Sequence, residues 1–144
     1  MRLDPLPDAM NKLQGRITAI ESNDHVSLVD VVVNGDMFTA TLLETPAEAA
    51  YLCVGNPVQV WFKETEVSLA KDLEGMISLR NRFHAIVKEV RCGKILGEVV
   101  LDYQGVEICS IITTRSIQRM AIRVGEKLEA LVKANEMTLL AVEA

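Results

Sequence analysis

The chain has 144 residues, a length that suits one ordinary domain or two small ones. Its formal net charge is −5, which argues against a nucleic-acid partner, because phosphate backbones are bound by clusters of Lys and Arg. Hydrophobic residues make up 49% of the sequence, enough for a real core, and this argues against disorder. No apolar run approaches the roughly 18 residues that span a bilayer. The start "MRLDPLPDAM" lacks a signal-peptide core, which predicts a cytoplasmic location.

The cysteines and histidines form no recognisable motif. Cys53, Cys92 and Cys109 are an odd number with no CxxC spacing, and we expect free thiols. A metal site or a catalytic thiol is the alternative. His25 and His84 are isolated in the sequence, so no functional role is assigned to them.

The sequence repeats itself at an offset of 70 residues. Identical pairs include Asn11 and Asn81, Val54 and Val124, Gly55 and Gly125, Lys63 and Lys133, Glu66 and Glu136, and Leu69 and Leu139. One offset that holds at both ends of a unit indicates an internal duplication. In the middle, the best match slips by two, because Asp30 aligns with Glu98. This slip predicts a hairpin tip that is longer in one copy and a later turn that is shorter.

The first copy is predicted to form strands and one helical turn. Val-rich runs such as "VDVVV" favour strands. The helical turn is predicted in "TPAEAAYL", where Thr45 is a suitable N-cap and Pro46 suits the first helical position. Glu48 would complete a capping box with Thr45.

The second copy shows the same elements more clearly. Apolar residues alternate in "FHAIVKEV", which predicts a half-buried strand, and "EVVLDY" and "VEICSIIT" predict a hairpin around "QG". A short helix is predicted in "TRSIQRMAI", followed by strands in "VGEKLEALVKA" and "EMTLLAV". Five short strands and one helical turn are typical of a small OB-like barrel.

We therefore predict a mainly all-β fold of two tandem OB-like five-stranded barrels, each with one short helix. The boundary falls where "KDLEG" interrupts the apolar pattern. Residues 1–72 would form the first unit and residues 73–144 the second.

Hydrogen-bond donors are concentrated at three places in the second repeat. They are Ser78 and Arg80 before its first strand, Thr113 and Ser116 around the helix start, and Lys133 on a later strand. Cations, hydroxyls and the free N–H groups of a helical turn together suit an anion. Taken singly, each of these residues could equally cap a turn or lie in solvent.

The first repeat lacks these donors. Asp8, Met10, Leu43 and Pro46 stand at the positions of Ser78, Arg80, Thr113 and Ser116. Lys63 matches Lys133, but Glu64 follows it and would repel an anion. The contrast predicts one anion site, in the second repeat, and a degenerate site in the first.

Two of these segments resemble known motifs. "ISLRN" resembles the S-A-R-N segment, and "LVKAN" the K-A-S segment, of molybdenum-binding (Mop, or TOBE-type) domains. The resemblance covers nearly the whole chain as two copies, as in the paired domains of molbindins and of the molybdate-responsive repressor. It implies OB-like barrels that often exchange strands, form homo-oligomers, and bind molybdate or tungstate at subunit interfaces. A dimer is favoured here, and a trimer is the alternative.

The resemblance also implies roles for individual residues. Ser78, Arg80 and Lys133 would contact the oxyanion, assisted by the backbone N–H groups of Leu79 and Ala134. The opposing subunit would add the hydroxyls of two residues, Thr113 and Ser116. Asn81 matches the family asparagine, which either joins the site or only orders the strand.

Some positions depart from the family pattern. Leu79 replaces the usual Ala, and Asn135 replaces the usual Ser. The family turn A-V-N-A-E-V survives only as "HVSLVDV" and "KILGEV", which puts in doubt the additional sites that some molbindins hold on their symmetry axes.

The sequence thus predicts a cytoplasmic protein that binds molybdate or tungstate for storage, buffering or homeostasis. The ligand is held as an oxyanion, without direct bonds between protein and metal, and no base–nucleophile pair suggests an enzyme. The alternative is an oxyanion-sensing module that acts on a protein partner. An OB-type oligonucleotide binder is a weaker third candidate, because the chain is acidic and only 4% aromatic.

Overall fold

A computed structural model describes residues 3–5 and 9–142. Ten strands are present: β1 (Met10–Ser22), β2 (Ser27–Val33), β3 (Asp36–Leu42), β4 (Pro57–Lys63), β5 (Ser68–Ala70), β6 (Asn81–Cys92), β7 (Leu96–Tyr103), β8 (Val106–Thr113), β9 (Lys127–Val132) and β10 (Thr138–Ala141). Helix α1 spans Thr114–Met120, and two 3₁₀ turns span Glu64–Glu66 and Ala134–Glu136. None of the helices in these ranges is long and apolar enough to cross a bilayer. The predicted mainly β fold is confirmed.

The two repeats exchange their last strands. One sheet has the order β10-β4-β1-β2-β3, and the other has the order β5-β9-β6-β7-β8. In the first sheet Leu139 of β10 pairs with Val60, and in the second Leu69 of β5 pairs with Ala130. Each five-stranded unit therefore borrows one edge strand from the other repeat. The predicted boundary at residue 72 divides the repeats along the chain, but it does not divide the sheets.

The repeats are equivalent at a constant offset of 70 residues. Both long hairpins carry a β-bulge at the same place, between Ile17 and Ala19 in the first and between Val87 and Glu89 in the second.

The predicted slip of two residues is wrong. Ala19 pairs with Asp30, and Glu89 pairs with Val100, so Val100 is the counterpart of Asp30. The hairpin tips are also closed by equivalent bonds, from Asn23 N–H to Val26 O and from Gly93 N–H to Leu96 O. The sequence alignment matched Asp30 with Glu98 because both are acidic. The β-bulge that both hairpins share shows the true register.

The short helix forms in the second repeat only. In the first repeat the two residues of the predicted capping box bond side chain to side chain, with Thr45 Oγ1 donating to Glu48 Oε1 at 3.0 Å, and not through the two backbone N–H groups that a capping box uses. The N–H groups of Glu48 and Ala49 donate to the Thr45 carbonyl, but no helix follows. In the second repeat, Ile117 anchors α1 in the core and Ala121 ends the helix with a left-handed φ of 50°. The first copy therefore keeps one turn at this place and no helix.

The core runs without interruption through both repeats. Phe38, Phe83 and Tyr103 form an aromatic cluster across the interface, with ring centroids 4.8 to 6.2 Å apart. Such ring pairs stabilise a core beyond the area that they bury. The strand exchange and this shared core make the two repeats one packing unit.

Two buried asparagines join the repeats, and we call them the asparagine clamps. The side chain of Asn11 donates to Cys109 O and accepts from Cys109 N–H, both at 2.8 Å. Asn81 does the same with Thr39, at 2.9 and 2.7 Å. Each clamp satisfies the outward-facing backbone groups of an edge strand, β8 or β3, which would otherwise be buried without a partner.

Candidate functional site

The first group of predicted donors lies where the irregular segment 71–80 enters β6. Ser78 and Arg80 are exposed, and Leu79 between them is half-buried. Within the described ranges, the Arg80 guanidinium has no hydrogen bond or ion pair. A neighbouring arginine, Arg82, is instead held by two hydrogen bonds to Glu129. Arg80 is therefore available to a ligand, and Arg82 is not.

The register of β6 and β9 brings Arg80 beside Lys133. The last ladder pair is Asn81 with Val132. Arg80 is the residue just before β6, and Lys133 is the residue just after β9. Lys133 is exposed and precedes the 3₁₀ turn Ala134–Glu136. Like charges at neighbouring positions of paired strands destabilise a sheet unless something compensates them. A bound anion would provide that compensation, so the sequence segments "ISLRN" and "LVKAN" meet in a place that suits one.

The side chain of Asn81 is buried and bonded to the first repeat. It is completely buried, and both its amide oxygen and its amide nitrogen bond to Thr39. Of the two roles that the sequence left open, the geometry supports the ordering of the strand that follows Arg80. We do not count the Asn81 amide among the anion donors.

Thr113 and Ser116 form a second group of donors. Thr113 caps α1: its hydroxyl accepts from Ser116 N–H at 3.0 Å and donates to Ser116 Oγ at 2.9 Å. Thr113 also lines a groove of about 400 Å³ together with Lys94, Ile95 and Arg115. Sequence reasoning missed these two cations, although Arg115 lies between the two predicted hydroxyl residues.

The two groups of donors lie on different parts of the chain surface. The turn that carries Ala134 packs beside β3 of the first repeat, whereas Thr113 ends β8 of the second. Among the residues that the structure describes, no hydrogen bond joins one group to the other.

The equivalent place in the first repeat is acidic. Asp8 lies outside the described residues, and Met10 at the start of β1 offers no donor side chain. Glu64 lies next to Glu98 and Cys109, with their ligand atoms within 4.8 Å of one another. The residues equivalent to these three at the offset of 70 are Ala134, Leu28 and Thr39, none of them acidic.

The environment of Glu64 is unfavourable for a further negative charge. Burial, followed by the charge of Glu98, raises the pKa of Glu64 above its ordinary value. Burial likewise raises the pKa of the Cys109 thiol, with the Glu64 carboxylate as the next cause. These three groups are ligands that a cation could use, and they would repel an anion. Cys53, Cys92 and Cys109 are all free thiols, as predicted.

Two tandem β units that exchange their edge strands define the class of fold, a mainly β protein built from a duplicated small barrel. The second repeat matches the TOBE domain family over residues 77–139. Molybdenum-pterin-binding protein 3 of Clostridium pasteurianum is 35% identical over 66 residues, which are 97% of that protein and 45% of this chain. The chain belongs to the TOBE domain family, and the resemblance drawn from "ISLRN" and "LVKAN" is confirmed.

Two further relatives match across both repeats. Molybdenum transport protein ModE of Herbaspirillum seropedicae is 29% identical over 136 residues, which are 92% of this chain and 51% of that protein. The chain thus spans about half the length of ModE. The structure of the cytoplasmic molybdate-binding protein ModG, with molybdate bound, superposes with a TM-score of 0.86 at 27% identity, covering 92% of this chain and 96% of ModG. The tandem OB-like architecture is shared with ModG.

Proposed function

We propose that this protein binds molybdate or tungstate through its second repeat, in the cytoplasm, for molybdenum storage, buffering or homeostasis. The observation that carries the proposal is the position of Arg80 and Lys133, each one residue beyond the last ladder pair of Asn81 with Val132. Among the described residues, no acidic side chain pairs with Arg80. The similarity to molybdate-bound ModG over nearly the whole chain supports the choice of ligand.

The donor set suits a tetrahedral dianion. Two cations, Arg80 and Lys133, would balance its charge, and charge-assisted hydrogen bonds are the strong ones. The Ser78 hydroxyl and the backbone N–H groups of Leu79 and Ala134 would add neutral donors. All of these groups would contact the oxygen atoms of the oxyanion, so the protein would form no bond to the metal. Molybdate and sulfate have the same charge and the same tetrahedral shape. Selectivity over sulfate would therefore come from the size of the donor cage.

The remaining donors would come from a second subunit. Thr113 and Ser116 are held together but lie apart from Arg80 in one chain, which leaves each half of the donor shell open. In a homodimer, the Thr113 group of one subunit would close the Arg80 group of the other. A trimer would meet the same need.

Sensing is the alternative to storage. ModE, which this chain matches over half its length, is a molybdenum transport protein. An oxyanion-dependent change in a surface of this chain would let it act on a protein partner instead. Pull-down with and without molybdate separates the two roles, since storage predicts no partner whose capture depends on the ligand.

The stoichiometry should be one oxyanion per chain. The first repeat has Met10 and Leu43 where the second has Arg80 and Thr113, and its Glu64 lies in an acidic cluster. A dianion there would lose its hydration without gaining enough donors. Native mass spectrometry with added molybdate should show a dimer with two oxyanions. Saturation at two per chain, or a monomer that binds one, would contradict this arrangement.

Mixing two inactive variants tests the shared site. Chains with Arg80→Ala and chains with Thr113→Ala are each expected to bind poorly as homodimers. A mixed dimer would contain one site with both residues intact, so unfolding and refolding the mixture should restore part of the tight binding. No recovery in mixed dimers isolated by two different affinity tags would show that the two groups do not meet between subunits.

A further inference from the structure

The groove of about 400 Å³ beside Thr113 contains one lysine and one arginine that the proposed site does not use. Lys94 lies at the tip of the β6–β7 hairpin, and Arg115 lies in the first turn of α1. Thr113 and Ile95 form the rest of the lining. We call this feature the cationic groove.

Hydrogen bonds hold the two sides of the cationic groove together. The N–H of Thr114 donates to the carbonyl of Ile95 at 2.8 Å, and the Thr114 hydroxyl donates to the carbonyl of Gly93 at 3.0 Å. Thr114 is buried, and hydrogen bonds are stronger away from water. The start of α1 is therefore fixed on the hairpin tip, and Lys94 and Arg115 belong to one hydrogen-bonded unit.

Neither cation of the groove has a partner in the part of the chain that the structure describes. Lys94 and Arg115 are exposed, and they make no ion pair and no side-chain hydrogen bond there. One acid, Asp4, contacts the hairpin tip: its carboxylate accepts from Ile95 N–H at 3.3 Å and forms no ion pair with Lys94. Both cations are therefore available to a ligand.

The cationic groove is a feature of the second repeat. At the offset of 70, Asp24 and Thr45 of the first repeat stand at the positions of Lys94 and Arg115. The first repeat thus lacks both cations, as it lacks the other anion donors. Because the two contrasts run in the same direction, they indicate that the groove and the other donors have one shared role.

The two hydroxyls beside the cationic groove supply few donors on their own. A hydroxyl has one proton, and Thr113 donates its proton to Ser116 Oγ at 2.9 Å. The proton of Ser116 then remains for a ligand, and neither hydroxyl carries a charge. A dianion that leaves water needs more than this from one side of its site. A lysine offers three N–H donors and an arginine five, and both side chains are positively charged.

We propose that Lys94 and Arg115 are further oxyanion-binding residues, which supply positive charge from the side of Thr113. The ligand is the one that the Arg80 group of a second subunit would hold, so this inference rests on the proposed function. Pockets of about 300–1,000 Å³ hold drug-sized molecules, which are much larger than a tetrahedral oxyanion. The cationic groove therefore has room for the oxyanion together with the segment of the second subunit that carries Arg80.

An acidic protein needs a local excess of positive charge to attract a dianion. The net charge of this chain is −5, so its overall field repels molybdate. Cations that lie within about 8 Å of the ligand act before salt screens them, and they reverse the field at the site. Lys94 and Arg115 thus raise both the affinity and the rate of association.

The first test is calorimetric titration of molybdate into the variants Lys94→Ala and Arg115→Ala. Each should lose about tenfold in affinity, the effect expected for one charge-assisted hydrogen bond. Thermal unfolding of the free protein should not change, because both side chains are exposed and unbonded. Lys127→Ala is the matched control: Lys127 is exposed at the end of β9 that is remote from Lys133, and its loss changes the net charge equally. It should bind within about twofold of wild type.

Mixed dimers test the side from which the groove acts. In a dimer of one Arg115→Ala chain and one Arg80→Ala chain, one site would keep both residues, so part of the tight binding should return. In a dimer of one Arg115→Ala chain and one Thr113→Ala chain, each site would lack one of the two residues, so no recovery is expected. The reverse pattern would place Arg115 on the same side as Arg80 and would overturn the inference.

The outcomes also separate this inference from the proposed function. If both groove variants bind molybdate as tightly as Lys127→Ala, the cationic groove has no part in binding, and the proposed function stands. If wild-type protein binds no molybdate, the proposed function fails and this inference fails with it.

Discussion

Replacement of Arg80 by alanine is expected to remove most of the oxyanion affinity and to leave the fold intact. The guanidinium is exposed and makes no hydrogen bond or ion pair within the described ranges, so its removal costs the folded chain little. A hydrogen bond to a charged group contributes about 1.5–3 kcal/mol, which corresponds to roughly tenfold or more in affinity. Calorimetric titration with molybdate measures the loss, and thermal unfolding of the free protein checks the fold.

Arg119→Ala provides the matched control for Arg80→Ala. Arg119 is exposed in the last turn of α1, and its loss changes the net charge of the chain by the same amount. Its removal should leave affinity within about twofold, because interactions between exposed charges are largely screened beyond about 8–10 Å at ordinary ionic strength. If Arg80→Ala bound molybdate as tightly as Arg119→Ala, the proposed site would be in the wrong place.

Replacement of Asn81 by alanine should destabilise the protein rather than act mainly on binding. The change would leave the N–H and the carbonyl of Thr39 buried without partners. An orphaned buried group costs about 1–3 kcal/mol, so we expect a loss of about 2–5 kcal/mol in the free energy of unfolding. Urea denaturation without ligand measures it. The equivalent change Asn11→Ala should cost a similar amount, because it breaks the matching clamp on Cys109.

The exposed Asn135, close to the proposed site but outside the clamps, is the control for this change. Asn135→Ala should alter stability by less than about 0.5 kcal/mol, as is usual for surface positions. Full stability in Asn81→Ala, together with lost affinity for molybdate, would contradict the clamp and return the Asn81 amide to the oxyanion shell.

Local pattern was sufficient to predict the strands and hairpins. The predicted strand "VEICSIIT" is β8 residue for residue, and the "QG" turn is Gln104 and Gly105, both with positive φ as a two-residue hairpin requires. The exchange of β5 and β10 between the repeats could not be predicted from the hydrophobic pattern of the sequence. Because β4 and β9 are equivalent, they offer the same kind of edge, and an apolar strand such as "TLLA" fits either one.

The candidate site was predictable to the extent that it depends on the contrast between repeats. The alignment of Ser78 and Arg80 with unlike residues in the first repeat, and of Lys133 with a lysine that is followed by Glu64, located the cations that stand at adjoining strand ends. It could not show that the amide of Asn81 is used by Thr39, because that contact joins residues from different repeats.

Because the repeats exchange strands within one chain, their assembly does not depend on protein concentration. Were the two repeats separate molecules, each would need to meet a partner to complete its sheet, and the assembly would fall apart at low protein concentration. A short connection such as residues 71–80 holds the second repeat at an effective concentration of about millimolar, whatever the cellular abundance. Because the two repeats are covalently linked, one chain can complete both sheets by itself. The link also allows the first repeat to lack the anion donors. Every first repeat is made together with a second repeat that has them, so the two are always present in equal amounts.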